Sequence, residues 1–299
     1  MKHERNQPGI MLNYINHCPI GCEGNIENSG IILPEGPLRR CSSCGQLFSQ
    51  CSLNRYLESM REFDDPDGTW QTGESLARLR KFAKRIIRRV ERFLETDRTE
   101  IHLLDVGCSS GSFVAAAVRL GVHAEGVEPE PAPVETGKSR GLKIHQGFLE
   151  DMRLPKDSLD VITLFEVIEH LKAPQNLLEE CYRVLKPGGV VVIKTGNADS
   201  WTVRYMGSRW EYFHISIHGG HVSFFNPRSM RRLAENCGFV VEKLDTHRIS
   251  FYRRDEVPYI LFRISKLFSS MLDLPSSWLG KGHDLIVFLK KPHEPLFSA

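Results

Sequence analysis

The sequence predicts an α/β fold in which a mostly parallel sheet carries helices on both faces, with a small cysteine-rich module ahead of it. Short apolar runs alternate with helical patterns from residue 101 onward, which is typical of parallel sheets built from strand–helix–strand units. Four cysteines in two close pairs precede this region. So dense a group in a short segment predicts a separate module held together through its thiols.

The composition is that of an ordinary globular chain. Of its 299 residues, 41% are hydrophobic and 25% are charged, and the net charge of +2 argues against nucleic-acid binding over the whole surface. The first residues contain no apolar signal segment, and no apolar run approaches the ~18 residues that a membrane span needs. We therefore expect a cytoplasmic protein without a transmembrane segment.

Hydrophobic periodicity predicts the individual elements. Residues 74–95 predict an amphipathic helix, because apolar residues recur at helical spacing while Lys and Arg cover the other face. Strands are expected at about 101–106, 122–128, 142–146, 159–166, 190–195, 239–247 and 283–290. Further helices are expected at about 111–120, 132–140, 173–186 and 227–237, with an inserted helix between the last two strands.

The loop after the first of these strands, LLDVGCSSGSF, is the expected ligand pocket, because open parallel sheets bind ligands at the carboxyl ends of their strands. Gly107 and Gly111 lack the dinucleotide spacing, and Asp105 would repel a pyrophosphate. S-adenosylmethionine (SAM) fits better, since it has an ammonium and a sulfonium but no phosphate. Glu128 ends the next strand, where an acid can accept both ribose hydroxyls.

Six stretches resemble class I SAM-dependent methyltransferases of the ubiquinone-methyltransferase-like type (methyltransferase domain 23/11 type). In chain order they are LLDVGCSSGSF, AEGVEPE, LPKDSLDVITLFEVIEHL, EECYRVLKPGGVVVIKTGN, HGGHVSFFNPRSMRRLAENCGFVVE and GHDLIVFLKKP. The resemblance covers about residues 101–291 and implies a Rossmann-like, seven-stranded sheet whose last strand is antiparallel. It also implies methyl transfer from SAM.

The resemblance implies a cofactor role for particular residues. The methionyl and ribose side would be lined by Asp105, Gly107, Ser109 and Gly111, with Glu128 on the ribose. The segment of Phe148, Leu149 and Glu150 would flank the adenine, and Phe165 and Glu166 would lie near the sulfonium. The sequence departs from the family pattern twice: Ser109 replaces a common glycine, and Phe148 stands where many relatives have an acid.

Methyl transfer needs alignment and, for a weakly acidic nucleophile, a base. We select His170, Glu166 and His221 as catalytic candidates, although each histidine has an alternative structural role in packing or loop hydrogen bonding. His214, His218 and His221 could also form a metal cluster, which is disfavoured because no carboxylate is evident nearby.

The cysteines form two candidate knuckles of a zinc ribbon. Cys18 and Cys22 form one pair, and Cys41 and Cys44, followed by a glycine, form the other. Four thiolates predict a closed, structural Zn²⁺ site, and the alternative is a set of unmetallated thiols. We expect three parts: a zinc-ribbon-like module over 1–52, a connector with the basic helix over 53–98, and a methyltransferase domain over 99–292 with an insertion at about 252–281.

The acceptor is left open by the sequence. A cysteine knuckle ahead of a methyltransferase resembles bacterial enzymes acting on sugars, glycans or natural products, and also certain ribosomal-RNA methyltransferases. We favour a small-molecule or sugar/glycan intermediate, with an acidic carrier or nucleotide-linked substrate as a possible partner of the basic helix. The alternatives are a zinc-containing RNA methyltransferase, whose basic helix would track phosphates, and a non-catalytic SAM-binding protein.

Overall fold

The structure is a computed structural model that describes residues 14–62, 70–254 and 256–294. Its strands are β1 (Ile26–Leu33), β2 (Gly36–Cys41), β3 (Leu47–Phe48), β4 (His102–Val106), β5 (His123–Glu128), β6 (Ile144–Gln146), β7 (Leu159–Phe165), β8 (Leu185–Gly196), β9 (Ser223–Phe224), β10 (Val240–His247) and β11 (Asp284–Lys290). Its helices are α1 (Leu53–Glu62), α2 (Gly73–Leu94), α3 (Ser112–Val118), α4 (Pro131–Ser139), α5 (Pro174–Val184), α6 (Trp201–Met206), α7 (Ile215–His218), α8 (Pro227–Asn236) and α9 (Tyr259–Trp278).

Seven strands form the large sheet in the order β10-β11-β8-β7-β4-β5-β6. The five from β8 to β6 are parallel, and β11 pairs antiparallel with both β8 and β10. The predicted fold class, including the antiparallel last strand, is therefore confirmed. The strand order reverses beside β4, so the crevice for a ligand lies at the carboxyl end of that strand.

Helices cover both faces of this sheet, as predicted. On one face α5 and α8 pack against the strands through residues such as Leu178 and Leu233. On the other face α2, α3 and α4 do so, and Ile86, Ile87 and Val90 of α2 are completely buried. The apolar stripe of α2 therefore belongs to the core of the domain, which leaves its Lys and Arg residues on the outer face.

The N-terminal module is a second, four-stranded sheet in the order β1-β2-β3-β9. Its last strand comes from the far end of the chain, because Leu47 and Phe48 pair with Phe224 and Ser223. The module thus shares a sheet with the methyltransferase region. The domain boundary near residue 52 stays a prediction.

The insertion between β10 and β11 contains α9, in the place that the sequence predicted for a helix. Ser269 and Ser276 are buried on the side that packs against the domain. No helix in the described ranges is both long enough and apolar enough to cross a membrane.

Candidate active site

The loop between β4 and α3 forms a tight corner in which three residues have left-handed backbone angles: Gly107 (φ 69°), Ser109 (φ 49°) and Gly111 (φ 80°). The two glycines are also required by close packing. A Cβ atom on Gly107 would lie 2.6 Å from Val167 Cγ2, and one on Gly111 would lie 2.7 Å from Ile144 Cδ1. Both positions therefore exclude a side chain.

Ser109 holds the corner to the end of β5. Its backbone N–H donates to Glu128 Oε2 at 2.8 Å, and the other carboxylate oxygen accepts from the backbone N–H of Glu130 at 3.1 Å. The hydrogen bond to Glu128 uses only the main chain of Ser109, so this contact does not depend on the serine side chain. The position does require a left-handed backbone. A serine is tolerated there at the energetic cost of that conformation.

Two carboxyl groups without a cation lie at this corner, Asp105 near the end of β4 and Glu128 at the end of β5. Asp105 is 4% exposed and Glu128 is 9% exposed, and neither forms an ion pair with Lys, Arg or His within residues 14–62, 70–254 and 256–294. Burial raises the pKa of Asp105 to about 7; the hydrogen bond from Thr163 (2.6 Å) opposes this, and the Glu128 carboxylate adds to it. Burial also raises the pKa of Glu128, against two backbone hydrogen bonds. The site therefore favours a cationic or hydroxylated ligand over a phosphate.

A cleft of about 1010 Å³ opens from this corner along the carboxyl edge of the sheet. One wall is α2, the opposite wall is α9, and the floor is the ends of β4, β7 and β8. The lining residues that bear on function are Arg78, Lys81, Phe82, Arg85, Asp105, Gly107, Ser109, Phe113, Phe165, Glu166, Lys194, Asp273, Leu274 and Ser277. The basic helix thus borders the cleft, which the sequence did not indicate.

Three aromatic rings meet at this cleft. Phe165, at the end of β7, makes edge contacts with Phe82 and Phe113 at centroid distances of 5.2 and 4.7 Å. By contrast, Phe148 is 62% exposed and Leu149 is buried in the core, and neither lines the cleft. Their predicted position beside an adenine remains a prediction.

Glu166 follows β7 and faces the cleft with a left-handed backbone (φ 56°). It forms an ion pair with Lys194, and Tyr212 Oη donates to its Oε2 at 3.0 Å. Burial opposes ionisation of Glu166, but Lys194 and these hydrogen bonds outweigh it and hold its pKa at about 2. A strained, ionised carboxylate at a cleft is typical of functional positions.

Behind Glu166, a buried carboxyl group joins two histidines. Glu169 accepts from Thr195 Oγ1 at 3.0 Å and is hydrogen-bonded to Tyr212 Oη, and its Oε1 lies 3.8 Å from His221 Nε2. The rings of His170 and His221 are 4.7 Å apart. Ligand atoms of Glu169, His170 and His221 lie within 4.8 Å of one another, a grouping that could hold a metal ion.

Burial sets the protonation of this buried group. It raises the pKa of Glu169 well above its usual value, and the neighbouring Glu166 carboxylate adds to the effect. Burial lowers the pKa of His170 to about 4 and that of His221 to about 3, so both imidazoles are neutral at pH 7. His170 Nδ1 is buried and has no hydrogen-bond partner in the described part of the chain.

The three catalytic candidates lie close together, but in two layers. Glu166 lines the cleft, whereas His170 and His221 lie behind it with Glu169. Glu169 was not among the residues predicted from the sequence, although it stands next to His170, because its partners Thr195, Tyr212 and His221 come from distant parts of the chain. His214 instead contacts the backbone oxygen of Ser208 at 2.6 Å, so the alternative cluster with His214 does not form.

The four predicted zinc ligands converge in the N-terminal module. Cys18, Cys22, Cys41 and Cys44 have sulfur atoms within 4.8 Å of one another, and the Cys18–Cys44 sulfur distance is 3.6 Å. Zinc–thiolate bonds of ~2.3 Å place tetrahedral sulfurs ~3.8 Å apart, so the donor set and spacing fit Zn²⁺. The hydrogen bond between Cys18 and Cys44 lowers the pKa of Cys18 to about 5 despite burial and raises that of Cys44, so one of these two sulfurs is held as a thiolate.

A family model described as a methyltransferase domain matches residues 77–244, more than half of the chain. The chain belongs to the class I SAM-dependent methyltransferases. Its sheet topology is the one that the resemblance implied.

Several curated relatives share this domain. The chain is 30% identical over 146 residues to a ubiquinone biosynthesis O-methyltransferase of Coxiella burnetii, covering 46% of this chain and 62% of that protein. It is 31% identical over 119 residues to the Maricaulis maris protein of the same name, covering 37% and 47%. A SAM-dependent methyltransferase structure from Archaeoglobus fulgidus aligns with 19% identity and TM-score 0.49, covering 70% of this chain and 94% of that one. The chain thus spans about half to three fifths of the length of these two curated relatives.

Proposed function

We propose that this protein transfers a methyl group from SAM to an anionic small-molecule acceptor. The observation that carries the proposal is a pair of buried carboxyl groups without a cation of their own: Asp105 lines the cleft of a methyltransferase domain, and Glu128 is bonded to the main chain of the cleft residue Ser109. A sulfonium cofactor with an ammonium group complements this charge, and a dinucleotide phosphate does not.

The residues at the corner fit SAM as follows. Asp105 would hold the ammonium, Glu128 would accept from the ribose hydroxyls, and Gly107 and Gly111 would let the main chain approach the ligand. The ring of Phe165 would lie beside the sulfonium, since aromatic faces attract cations. When bound, SAM supplies an electrophilic methyl group on sulfur.

Glu166 would orient the acceptor and pass its proton inward. Its low pKa makes it a weak base alone, but Tyr212 connects it to Glu169, whose pKa is raised. A pair of carboxyl groups with separated pKa values is a usual arrangement for acid–base work. Glu169 would take up the proton, and His170 and His221, which burial keeps neutral at pH 7, would position Glu169 or, with it, hold a divalent cation.

The charge of the cleft supports an anionic acceptor. Lys81 and Arg85 line it from α2 and form no ion pair in the described ranges, and the guanidinium of Arg85 lies over the Phe82 ring at 5.6 Å. A phosphate or carboxylate of the acceptor would supply the missing partner. A sugar or glycan intermediate linked to a nucleotide satisfies this condition and is our choice within the class.

We also propose that the cysteine module binds one structural Zn²⁺ through Cys18, Cys22, Cys41 and Cys44. A site closed by four thiolates leaves no open position for substrate, so its role would be to stabilise the module.

Calorimetric titration with S-adenosylhomocysteine tests the central proposal. Glu128→Ala should weaken binding at least about tenfold, because it removes two hydrogen bonds to the ribose and the tie to Ser109. Glu130→Ala is the matched control: the side chain is exposed beside the site, and the hydrogen bond to Glu128 comes from the main chain, which the substitution keeps. Absence of binding to the unaltered protein would refute SAM use, and binding without turnover on any acceptor pool would favour a SAM-binding protein without activity.

A further inference from the structure

Helix α9 carries most of its apolar residues on the side that faces away from the protein. A helix that only packs on a domain would carry them on the side that faces the domain. Ser269 and Ser276 are buried against the protein, whereas the outward face is apolar. Its members follow at intervals of three or four residues: Ile260, Ile264, Leu267, Met271, Leu274 and Trp278. Ile260 is 72%, Leu267 69%, Met271 70% and Trp278 87% exposed.

This outward face is broader than the seam of a coiled coil. Leu261, Phe268 and Leu279 widen it on one side, and all three are more than half exposed. Contiguous apolar surface on this scale marks a place where another molecule binds. An apolar face of this width is typical of helices that lie in the plane of a membrane interface.

The charges around this face complement an anionic lipid surface. Arg263 and Lys266 lie on α9 at the edge of the apolar face, and both are exposed. Across the cleft, α2 presents a ridge of exposed basic residues: Arg78, Arg80, Lys81, Lys84, Arg85, Arg88 and Arg92. Tyr259 and Trp278 stand at the two ends of α9, and such amphipathic aromatics are favoured at the level of lipid headgroups.

The same charges disfavour a second copy of this chain as the occupant. Because α2 and α9 border one cleft, a copy seated on α9 would bring two like-charged ridges toward each other. We propose that α9 docks the protein on anionic membranes, with the apolar face entering the headgroup region and the α2 ridge contacting acidic lipids. Leu274 belongs to both the apolar face and the cleft lining, so docking sets the cleft mouth against the bilayer.

Sedimentation with vesicles tests this. The full chain should bind vesicles of equimolar phosphatidylcholine and phosphatidylglycerol, and binding should fall with added salt. Leu267→Glu should weaken binding at least about tenfold, because it places a charge in the inserted face. Ile32→Glu, at an equally exposed position of the N-terminal sheet (71%), should leave binding unchanged. Arg88→Glu, outside the cleft, should lower binding several-fold to the vesicles that contain phosphatidylglycerol, and should not change binding to vesicles of phosphatidylcholine alone.

A second readout uses Trp278. Its fluorescence should shift to the blue on mixing with the anionic vesicles, and Trp278→Phe should abolish most of that shift. Circular dichroism and S-adenosylhomocysteine binding verify that every variant is folded. The proposal is overturned if the unaltered chain does not bind these vesicles, or if Leu267→Glu binds them as tightly as the unaltered chain. It is also overturned if the unaltered chain is a dimer without affinity for vesicles and Leu267→Glu merely converts it to a monomer.

Discussion

Ser109 has a left-handed backbone at the point where relatives commonly have glycine. The structure explains why the serine is accepted: the position supplies a main-chain N–H to Glu128, and any residue able to adopt φ 49° can do so. The family resemblance identified the position but not this contact. The left-handed backbone that makes this contact possible cannot be read from the identity of the residue alone.

Ser109→Gly should therefore stabilise the protein by up to about 1 kcal/mol, because glycine adopts the left-handed region without a Cβ clash. Chemical denaturation measures the change, and S-adenosylhomocysteine affinity should stay within about twofold. Ser110→Gly, next in the chain and without the positive φ, is the control and should not stabilise. A clear loss of stability in Ser109→Gly would show that the side chain has a role of its own.

Asp105 predicts a pH dependence. With its folded pKa raised to about 7 by burial, against ~3.9 in an unfolded chain, the folded state holds a proton that the unfolded state has lost. Its contribution to stability is therefore full below about pH 4 and is lost as the pH rises through about 7. A ligand ammonium favours the ionised form, so S-adenosylhomocysteine affinity should rise with pH up to about 8.

Asp105→Asn should flatten both curves and weaken binding most above about pH 7, where the Asp105 carboxylate of the unaltered protein is ionised. Calorimetry and thermal unfolding across this range provide the two measurements. If the affinity of the unaltered protein does not change with pH, the ammonium is not held by Asp105.

At the scale of elements, the two faces of α2 have different roles, one in the core and one at the surface. Its apolar stripe is buried under the sheet, and its basic face reaches from the cleft, at Lys81 and Arg85, to open surface at Lys84. Periodicity predicted the helix and the basic face, since both are local properties. It could not show that part of this face borders a cleft, which depends on how the helix packs.

Two neighbouring substitutions on α2 separate the acceptor hypotheses. Arg85→Glu, inside the cleft, should raise the KM for an anionic small molecule at least about tenfold, whereas Lys84→Glu, on the open surface, should leave it unchanged. For an RNA acceptor, both should weaken binding by similar factors and reduce its salt dependence. Steady-state kinetics and RNA binding at several salt concentrations distinguish the two.

At the scale of the whole molecule, the cysteine module connects directly to the buried acid–histidine group. Ser49 N donates to Val222 O at 2.8 Å, and Val222 N donates to Glu169 O at 3.0 Å, so β3 and the segment after His221 are held together. The corner that would bind SAM lies elsewhere, at the end of β4. Loss of the module should therefore disturb methyl transfer more than cofactor binding.

Cys41→Ser should abolish binding of the one zinc ion expected per chain and lower the free energy of unfolding by at least about 2 kcal/mol. It should also reduce methyl transfer, while the affinity for S-adenosylhomocysteine stays within a few-fold of that of the unaltered protein. Cys51→Ser is the control, because Cys51 is buried beside the module but lies outside the four-sulfur group. Metal analysis, denaturation and radiolabelled transfer measure the three effects. Normal zinc content in Cys41→Ser would contradict the proposed ligand set.

The sequence predicted most of the large sheet because long apolar runs carry a clear period, and the strands lie within a few residues of their expected bounds. It did not predict the pairing of β3 with β9, since two-residue strands have no period. It did not predict the role of Glu169 either, because the partners of this residue are brought to it only by the fold.

The pairing of β3 with β9 also constrains how the protein is made. Gln46 bonds Ser223 across 177 residues of chain, so during synthesis the cysteine segment must wait for a much later segment before its sheet is complete. Contacts so distant in sequence slow folding. During synthesis the cysteine segment would remain incomplete until β9 emerges, and early zinc capture by its thiols would protect it from misfolding over that interval.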